Sequence, residues 1–537
     1  MLEEVPSSPL PAIPRRSILN LSPNLIVHDR TLAMNALPRR SFLRSTAATG
    51  ALLGMGGLGF LSRLPEVSAA EAQPDTKQVQ FRPEIEPLVR LIEDTPRREL
   101  LEAIAARIKR GTTYREVLTA LQLAGVRNIQ PRPVGFKFHA VLVINSANLA
   151  SQNSPDSDRW LPIFWALDQF KASQTRDVQE GNWTMSAVEE KLVPSADKAA
   201  ATFTAAMDDW DEAKADAAVA ALARSAGAQE LFDRLCRYGA RDFRDIGHKA
   251  IYVANSWRTL QNIGWQHAEP VLRSLAYALL EHEGSNPAKR DAEADLPGRR
   301  NLKLLQEIRP GWQTGQTDAN ATKELLATLR QGTWQQTSDL VLKLLDRGVS
   351  PQSLWDALFQ SAGEMLMRRP GIVSLHACTS TNALHYSFQH TFNEETRRFL
   401  LLQNAAFIPL FRQRADANKG IQIDEFEPEP MKTKGEEALT EIFADVSKNK
   451  LLAARKALGW LQTSGDARPF INAAQRLIYL KGTDSHDYKF SSAVLEDYYH
   501  ITPALRDRYL AASVFWLKGS ATTDTSLVTR TRAALSS

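Results

Sequence analysis

The chain has 537 residues, 43% of them hydrophobic, enough to bury a sizeable core and long enough for two or more domains or a repeat array. Its formal charge of +4 comes largely from the first 69 residues, which carry seven Arg, no Lys and four acidic side chains. The remainder is nearly neutral, which excludes the polybasic footprint expected of a nucleic-acid partner.

The first informative stretch is Arg39-Arg40-Ser41-Phe42-Leu43-Arg44, followed by an uncharged run rich in Ala, Leu and Gly over 47–61 and by Val67-Ser68-Ala69-Ala70. A basic start, a moderately apolar middle and an A-x-A-like exit describe a cleavable export signal. A membrane span needs about 20 apolar residues. Met34 sits just ahead of this segment, so residues 1–33 are expected to be an over-extended N-terminus and 34–70 the signal. The earlier Arg15-Arg16 pair lacks both the Phe and the apolar run. No second long apolar run follows, and the mature chain is expected to carry no membrane span.

Paired arginines ahead of Phe42 and Leu43, with Arg44 behind them, resemble the twin-arginine (Tat) signal. Pro38 stands where that family usually has Ser or Thr. The resemblance implies the Tat translocase as a partner and export in the folded state, to the periplasm or beyond. It also implies that a cofactor, where one is bound, is inserted before export.

Beyond the signal the chain repeats itself. "RGTT" at 110–113 recurs as "RGVS" at 347–350, an offset of 237. The same offset carries "FHAVLVIN" (138–145) onto "LHACTSTN" (375–382), placing His139 on His376 and Asn145 on Asn382. His248 falls near His486, and "RSLAYALLEHEG" (273–284) near "RYLAASVFWLKG" (508–519). This pattern predicts a tandem duplication: one half over 85–285, a linker over 286–319 that begins with a charged Pro- and Gly-containing stretch, a second half over 320–520 and a polar tail over 521–537. His139 and His248 are 109 residues apart and His376 and His486 110 apart, which admits four helical units. Lys249-Ala250 with Asn255 copies the His-Ala…Asn spacing, with Lys in the place of His.

The halves read as helical throughout. Leu101, Ile104 and Ile108 share one helical face, and Thr113 with Glu116 forms a capping box for the next helix. At the matching place in the second half Ser350 is the N-cap and Pro351 the first helical residue, while Gly111 and Gly348 stop the preceding helices. Leu340, Val341, Leu344 and Leu345 make a further apolar stripe. "AVLVIN" alone passes for a strand, but its counterpart "ACTSTN" is poor strand material, and both are expected on buried helices. The fold class is all-α.

No two histidines stand at i, i+4, so a metal site cannot be built within one helix. It would have to be assembled from distant segments. Duplicated halves that pack about a pseudo-twofold axis would bring His139, His248, His376 and His486 together, as a metal site or as an acid/base cluster. Asn145, Asn255 and Asn382 are candidates for orienting a substrate or a histidine. A competing reading makes all seven structural joints, since duplication copies joints as readily as sites. Cys236 and Cys378, the only cysteines, read as buried free thiols, and no CxxC, G-x-S-x-G, P-loop or G-x-G-x-x-G motif is present outside the signal. Trp160, Trp165, Trp257 and Trp265 read as core filling. Glu189-Glu190 and Asp208-Asp209 read as solvated helix faces.

A His-led helix followed by an "RxLAxA" helix resembles the pattern of questin-oxidase-like proteins, a family of ring-cleaving oxygenases. The resemblance implies an oxygenase-type activity but carries over no catalytic residue and no export signal. Together with the Tat-like segment it points to an exported oxidoreductase acting on a small organic substrate between the halves, with the four histidines as candidate acid/base groups or ligands; no cofactor identity follows, and a metal ion is one occupant the cluster admits. The alternative is a non-catalytic helical repeat protein of the cell envelope.

Overall fold

Local capping sets where the helices begin. In the computed structural model Thr113 opens the helix Tyr114–Asn128 by accepting from the Glu116 backbone N–H, while the Glu116 carboxylate takes the Thr113 N–H at 2.7 Å. Thr333 and Gln336 make the same reciprocal pair at the start of Trp334–Asp346. Ser350 caps Pro351–Arg368, with Pro351 at the first helical position where its missing N–H costs nothing. Gly111 at φ +102° and Gly348 at φ +84° end the helices before these caps. Thr113→Ala removes one acceptor from the first turn, and about 1 kcal/mol of stability should go with it in a denaturant titration.

The structure describes residues 77–415 and 420–536, which belong to one compact unit. Arg39, Arg40, Phe42 and Leu43, with the segments 1–33 and 34–70, lie outside the described residues. The fold is all-α. Among the described residues the only β pairings are isolated bridges, Gln78 with Ser186 and Gln316 with Val349. No helix of the described residues is long and apolar enough to cross a membrane.

Helices form where one apolar face finds a partner. Leu100, Leu101 and Ile104 of Arg97–Lys109 are buried, with Ile108 packed at their margin, and Val341, Leu344 and Leu345 do the same for Trp334–Asp346. The element order over 86–279 recurs over 319–513. Glu86–Asp94, Arg97–Lys109 and Tyr114–Asn128 are matched by Ala319–Gln331, Trp334–Asp346 and Pro351–Arg368. Ala196–Asp208, Glu212–Ser225 and Ala228–Gly239 are matched by Gly435–Val446, Lys450–Ser464 and Arg468–Lys481. His248–Ile263 and Ala268–Leu279 are matched by Ser485–Asp497 and Pro503–Ser513. Side chains from both stretches share one continuous core.

Three segments differ from their sequence description. The linker over 286–319 contains the helix Leu296–Leu304, which packs on Trp334–Asp346 and Glu394–Ala415. The polar tail contains Ser526–Ser536, whose buried Val528, Thr531 and Ala534 repeat every three residues and dock on Arg97–Lys109 and Leu161–Gln179. "FHAVLVIN" is not one helix. It breaks at Val143 between His139–Leu142 and Ile144–Gln152, whereas "LHACTSTN" runs uninterrupted inside Ile372–His390.

Candidate metal centre

Four helices bring one histidine each to a common point: His139 begins His139–Leu142, His248 begins His248–Ile263, His376 lies in the second turn of Ile372–His390, and His486 is the second residue of Ser485–Asp497. Ring centroids stand 4.5 Å apart for His139 and His486, 4.3 Å for His248 and His376, and 5.1 Å for His376 and His486. The structure therefore assembles all four sequence-picked histidines. His248 and His376 are buried, while His139 and His486 are half-buried and face the exposed Phe136 and Asp484.

Each ring is held by its Nδ1. The partner is the carbonyl oxygen of Phe136 for His139 (2.8 Å), of Asp245 for His248 (2.5 Å) and of Ile372 for His376 (2.7 Å). For His486 it is the Asp484 carboxylate at 2.5 Å. A carbonyl oxygen only accepts, so the three Nδ1 atoms it faces carry the proton; the carboxylate asks the same of His486. In a neutral imidazole the Nε2 is then a bare lone pair. His248 Nε2 lies 3.0 Å from that of His139 and 2.9 Å from that of His376. Ligand atoms of His139, His376 and His486 lie within 4.8 Å of one another, and the buried His486 Nε2 has no hydrogen-bond partner.

Lone pairs at 2.9 Å repel unless a proton or a cation lies between them. The surroundings oppose the proton. Burial, followed by the charges of Lys489 and neighbouring histidines, holds His139 and His376 well below 6.5; burial and the His376 and Lys489 charges do so for His248. The Nε2 atoms of His139, His248 and His376 converge, each ring with its Nδ1–H donated to a carbonyl oxygen behind it and His486 beside them, which is how protein metal centres orient imidazole ligands. All-imidazole donors suit zinc, copper, iron or nickel better than calcium or magnesium. The residues fit a transition-metal ion.

The backbone behind two of the rings is strained. Phe136 has φ 44°, and Asp245 and Ile246 have φ 51° and 46° ahead of Gly247 at 81°. Left-handed non-glycine residues cost energy and gather at sites where geometry matters. Here the strained carbonyls of Phe136 and Asp245 are the ones that fix His139 and His248.

One group near the rings escaped the sequence reading. Lys489 is buried with its Nζ 3.5 Å from His248 Nε2, and burial pushes its pKa down to about 7 against the opposing pull of Asp484. The signal was there in the i, i+3 spacing from His486, which puts both on one helix face. Lys249, noted for its place in the repeat, instead pairs with Asp242 at 3.0 Å inside the core.

The asparagines make a separate polar seam. Asn255 Nδ2 donates to the Leu142 carbonyl at 2.9 Å, and Asn145 reaches Asn255 at 3.5 Å. Asn382 donates to Glu496 at 2.8 Å and to Asp497 at 2.6 Å. Arg258 stands between the two groups, 3.4 Å from each of Asn255 and Asn382, and pairs with Glu496 at 2.5 Å. These bonds tie His248–Ile263 to Ile372–His390 and Ser485–Asp497 and do not go to the imidazoles.

Cys236 and Cys378 are buried free thiols whose pKa burial raises, so the proximity of Cys378 to His376 in sequence does not activate it. Trp165 stacks on Tyr488 at 4.1 Å and Trp257 on Phe232 at 4.4 Å, while Glu189, Glu190, Asp208 and Asp209 are exposed.

No family model matches the chain, and no curated protein or solved structure matches it.

Proposed function

We propose that this is an exported helical metalloprotein in which His139, His248, His376 and His486 hold one transition-metal ion, and that the centre serves an oxidoreductase of oxygenase type acting on a small organic substrate. One observation carries the metal: the Nε2 atoms of His139 and His376 lie 3.0 and 2.9 Å from that of His248, while the Nδ1 of each ring faces a carbonyl oxygen. The oxidoreductase reading rests on the resemblance to questin-oxidase-like proteins and on the Tat-like signal. A tandem duplication is part of the proposal, supported by the recurrent helix order and by the shared offset of 237 between the two His-Ala motifs.

Lys489 belongs to the same centre. Its charge is among those that hold the pKa values of His139, His248 and His376 low, and as an ammonium it would oppose a cation at their Nε2 atoms. Lys489→Met should therefore tighten metal retention; weaker retention would show that the amine itself donates to the ion.

Metal analysis of protein purified after export tests the main reading. One equivalent of iron, copper, zinc or nickel per chain is expected. Protein that emerges without metal, and takes up none of these ions on titration, defeats it. A non-catalytic envelope protein is the second reading. It is favoured by the cavity of about 870 Å³ between helices over 435–481 and the turn at 152–155, whose lining includes none of the four histidines. Turnover by the metal-loaded protein of any redox substrate would decide against it.

Export has its own test. Replacing Arg39 and Arg40 by Lys should leave the precursor in the cytoplasm, and undiminished export of that variant would refute the twin-arginine route.

A further inference from the structure

Two clefts occupy matching places in the two stretches. The first lies among Ala196–Asp208, Ala228–Gly239 and the start of Glu394–Ala415, and encloses about 220 Å³. Its charges are spent on one another. Arg234 pairs with Glu230 at 2.9 Å, Arg237 lies 4.0 Å from Glu395, and Asp233 accepts from the Thr391 hydroxyl at 2.7 Å and the Phe392 N–H at 3.0 Å. The second cleft lies among the matching helices Gly435–Val446, Lys450–Ser464 and Arg468–Lys481, closed on one side by the turn at 152–155, and encloses about 870 Å³. That is the size of a small-molecule site.

The walls of the larger cleft say what would fill it. Phe443, Trp460, Leu477, Tyr479 and Leu480 line the cleft, the first two also packed on Phe470. Two charges reach the wall. Glu436 stands in the first turn of Gly435–Val446, where the positive end of the helix dipole already answers it. Arg476 lies within Arg468–Lys481, is exposed and has no ion pair among the described residues. Its charge is felt at the neighbouring Tyr479 phenol, whose pKa it lowers against the dominant effect of burial. An unanswered guanidinium beside an apolar lining is a fit for a carboxylate or sulfonate on a ring.

We infer that this cleft binds a ring-bearing organic anion, with the ring against the apolar lining of Trp460, Leu477 and Leu480 and the acid group on Arg476. The site is independent of the metal centre, so its test does not depend on metal content. Full-length folded protein is titrated with 8-anilinonaphthalene-1-sulfonate and, separately, with its uncharged relative N-phenyl-1-naphthylamine. Arg476→Gln, an exposed substitution that leaves the core alone, should weaken the sulfonate about tenfold or more, the size of a lost charge-assisted hydrogen bond, and leave the neutral probe within about twofold. Ala473→Trp, which fills the cleft from the half-buried face of the same helix, should abolish binding of both. Equal loss of both probes in Arg476→Gln, or sulfonate binding unchanged in either variant, overturns the assignment.

Discussion

His376→Ala is expected to strip the metal from the protein. His376 is fully buried, and its Nε2 lies 2.9 Å from that of His248, so its removal deletes one donor and opens a void at the middle of the group. Changing residues that merely orient a ligand costs about 10–100-fold in metal affinity. Removing a ligand should exceed that, and Asp484→Ala, which frees His486 Nδ1, should fall within it. The readout is metal retained after dialysis, together with thermal unfolding with and without added ion. Metal at 100 times its dissociation constant stabilises the wild type by about 2.7 kcal/mol and should leave His376→Ala unmoved. A variant that keeps its metal would sink the four-histidine centre.

The pH at which the ion leaves follows from the same surroundings. A proton competes with metal for Nε2 only near or below the pKa of the ring. Burial and neighbouring positive charge lower the pKa of His139, His248 and His376, so in this fold they stay unprotonated at pH values where free imidazoles, at 6.5, are half charged. Retention should therefore persist well below pH 6.5, and uptake at pH 7 should release few protons from these three rings. Release of the ion at about the ordinary histidine value would show that the rings are solvated and the centre is open.

The histidines were legible because their information is in register, which sequence carries. His139 and His376 share an offset of 237 with a helix-start motif, and the His-to-Asn spacing is the same in both stretches although Val, Leu and Ile stand between them in one and Cys, Thr and Ser in the other. Helix class was legible for the same kind of reason: caps such as Thr113 and Ser350 act within four residues. What was not legible depends on the third dimension. Nothing local marks Lys489 as buried, since a lysine on a helix is ordinarily solvated. The Asp245 and Ile246 backbone is left-handed, against the preference of the β-branched Ile246, and no local motif announces it. The asparagines kept their spacing to the histidines yet bond into the seam around Arg258. The spacing alone did not show which groups they would bond. The docked helix Ser526–Ser536 looked like a tail because Thr and Arg dilute its apolar face.

Gly247 supplies the test of how tightly the two His-bearing helices are locked. It precedes His248 at φ +81°, and a Cβ there would stand 2.0 Å from Ser380 Oγ and 2.9 Å from Ser380 Cβ, on the helix that carries His376. Alanine in a left-handed conformation costs about 1–2 kcal/mol, and forcing atoms into a packed contact about 1–3 kcal/mol more. Gly247→Ala should thus lower stability by roughly 2–5 kcal/mol. It should weaken metal binding too, because the relief available is to move His248–Ile263 away from Ile372–His390 and part the two Nε2 atoms. Ser380→Gly removes both offending atoms at a helix cost of about 0.5–1 kcal/mol. The double variant should recover the contact penalty and the metal affinity while keeping the backbone penalty, a coupling of about 1–3 kcal/mol between residues 133 positions apart. If the two substitutions simply add, Gly247 acts through its own backbone alone and the His248–His376 spacing is set elsewhere.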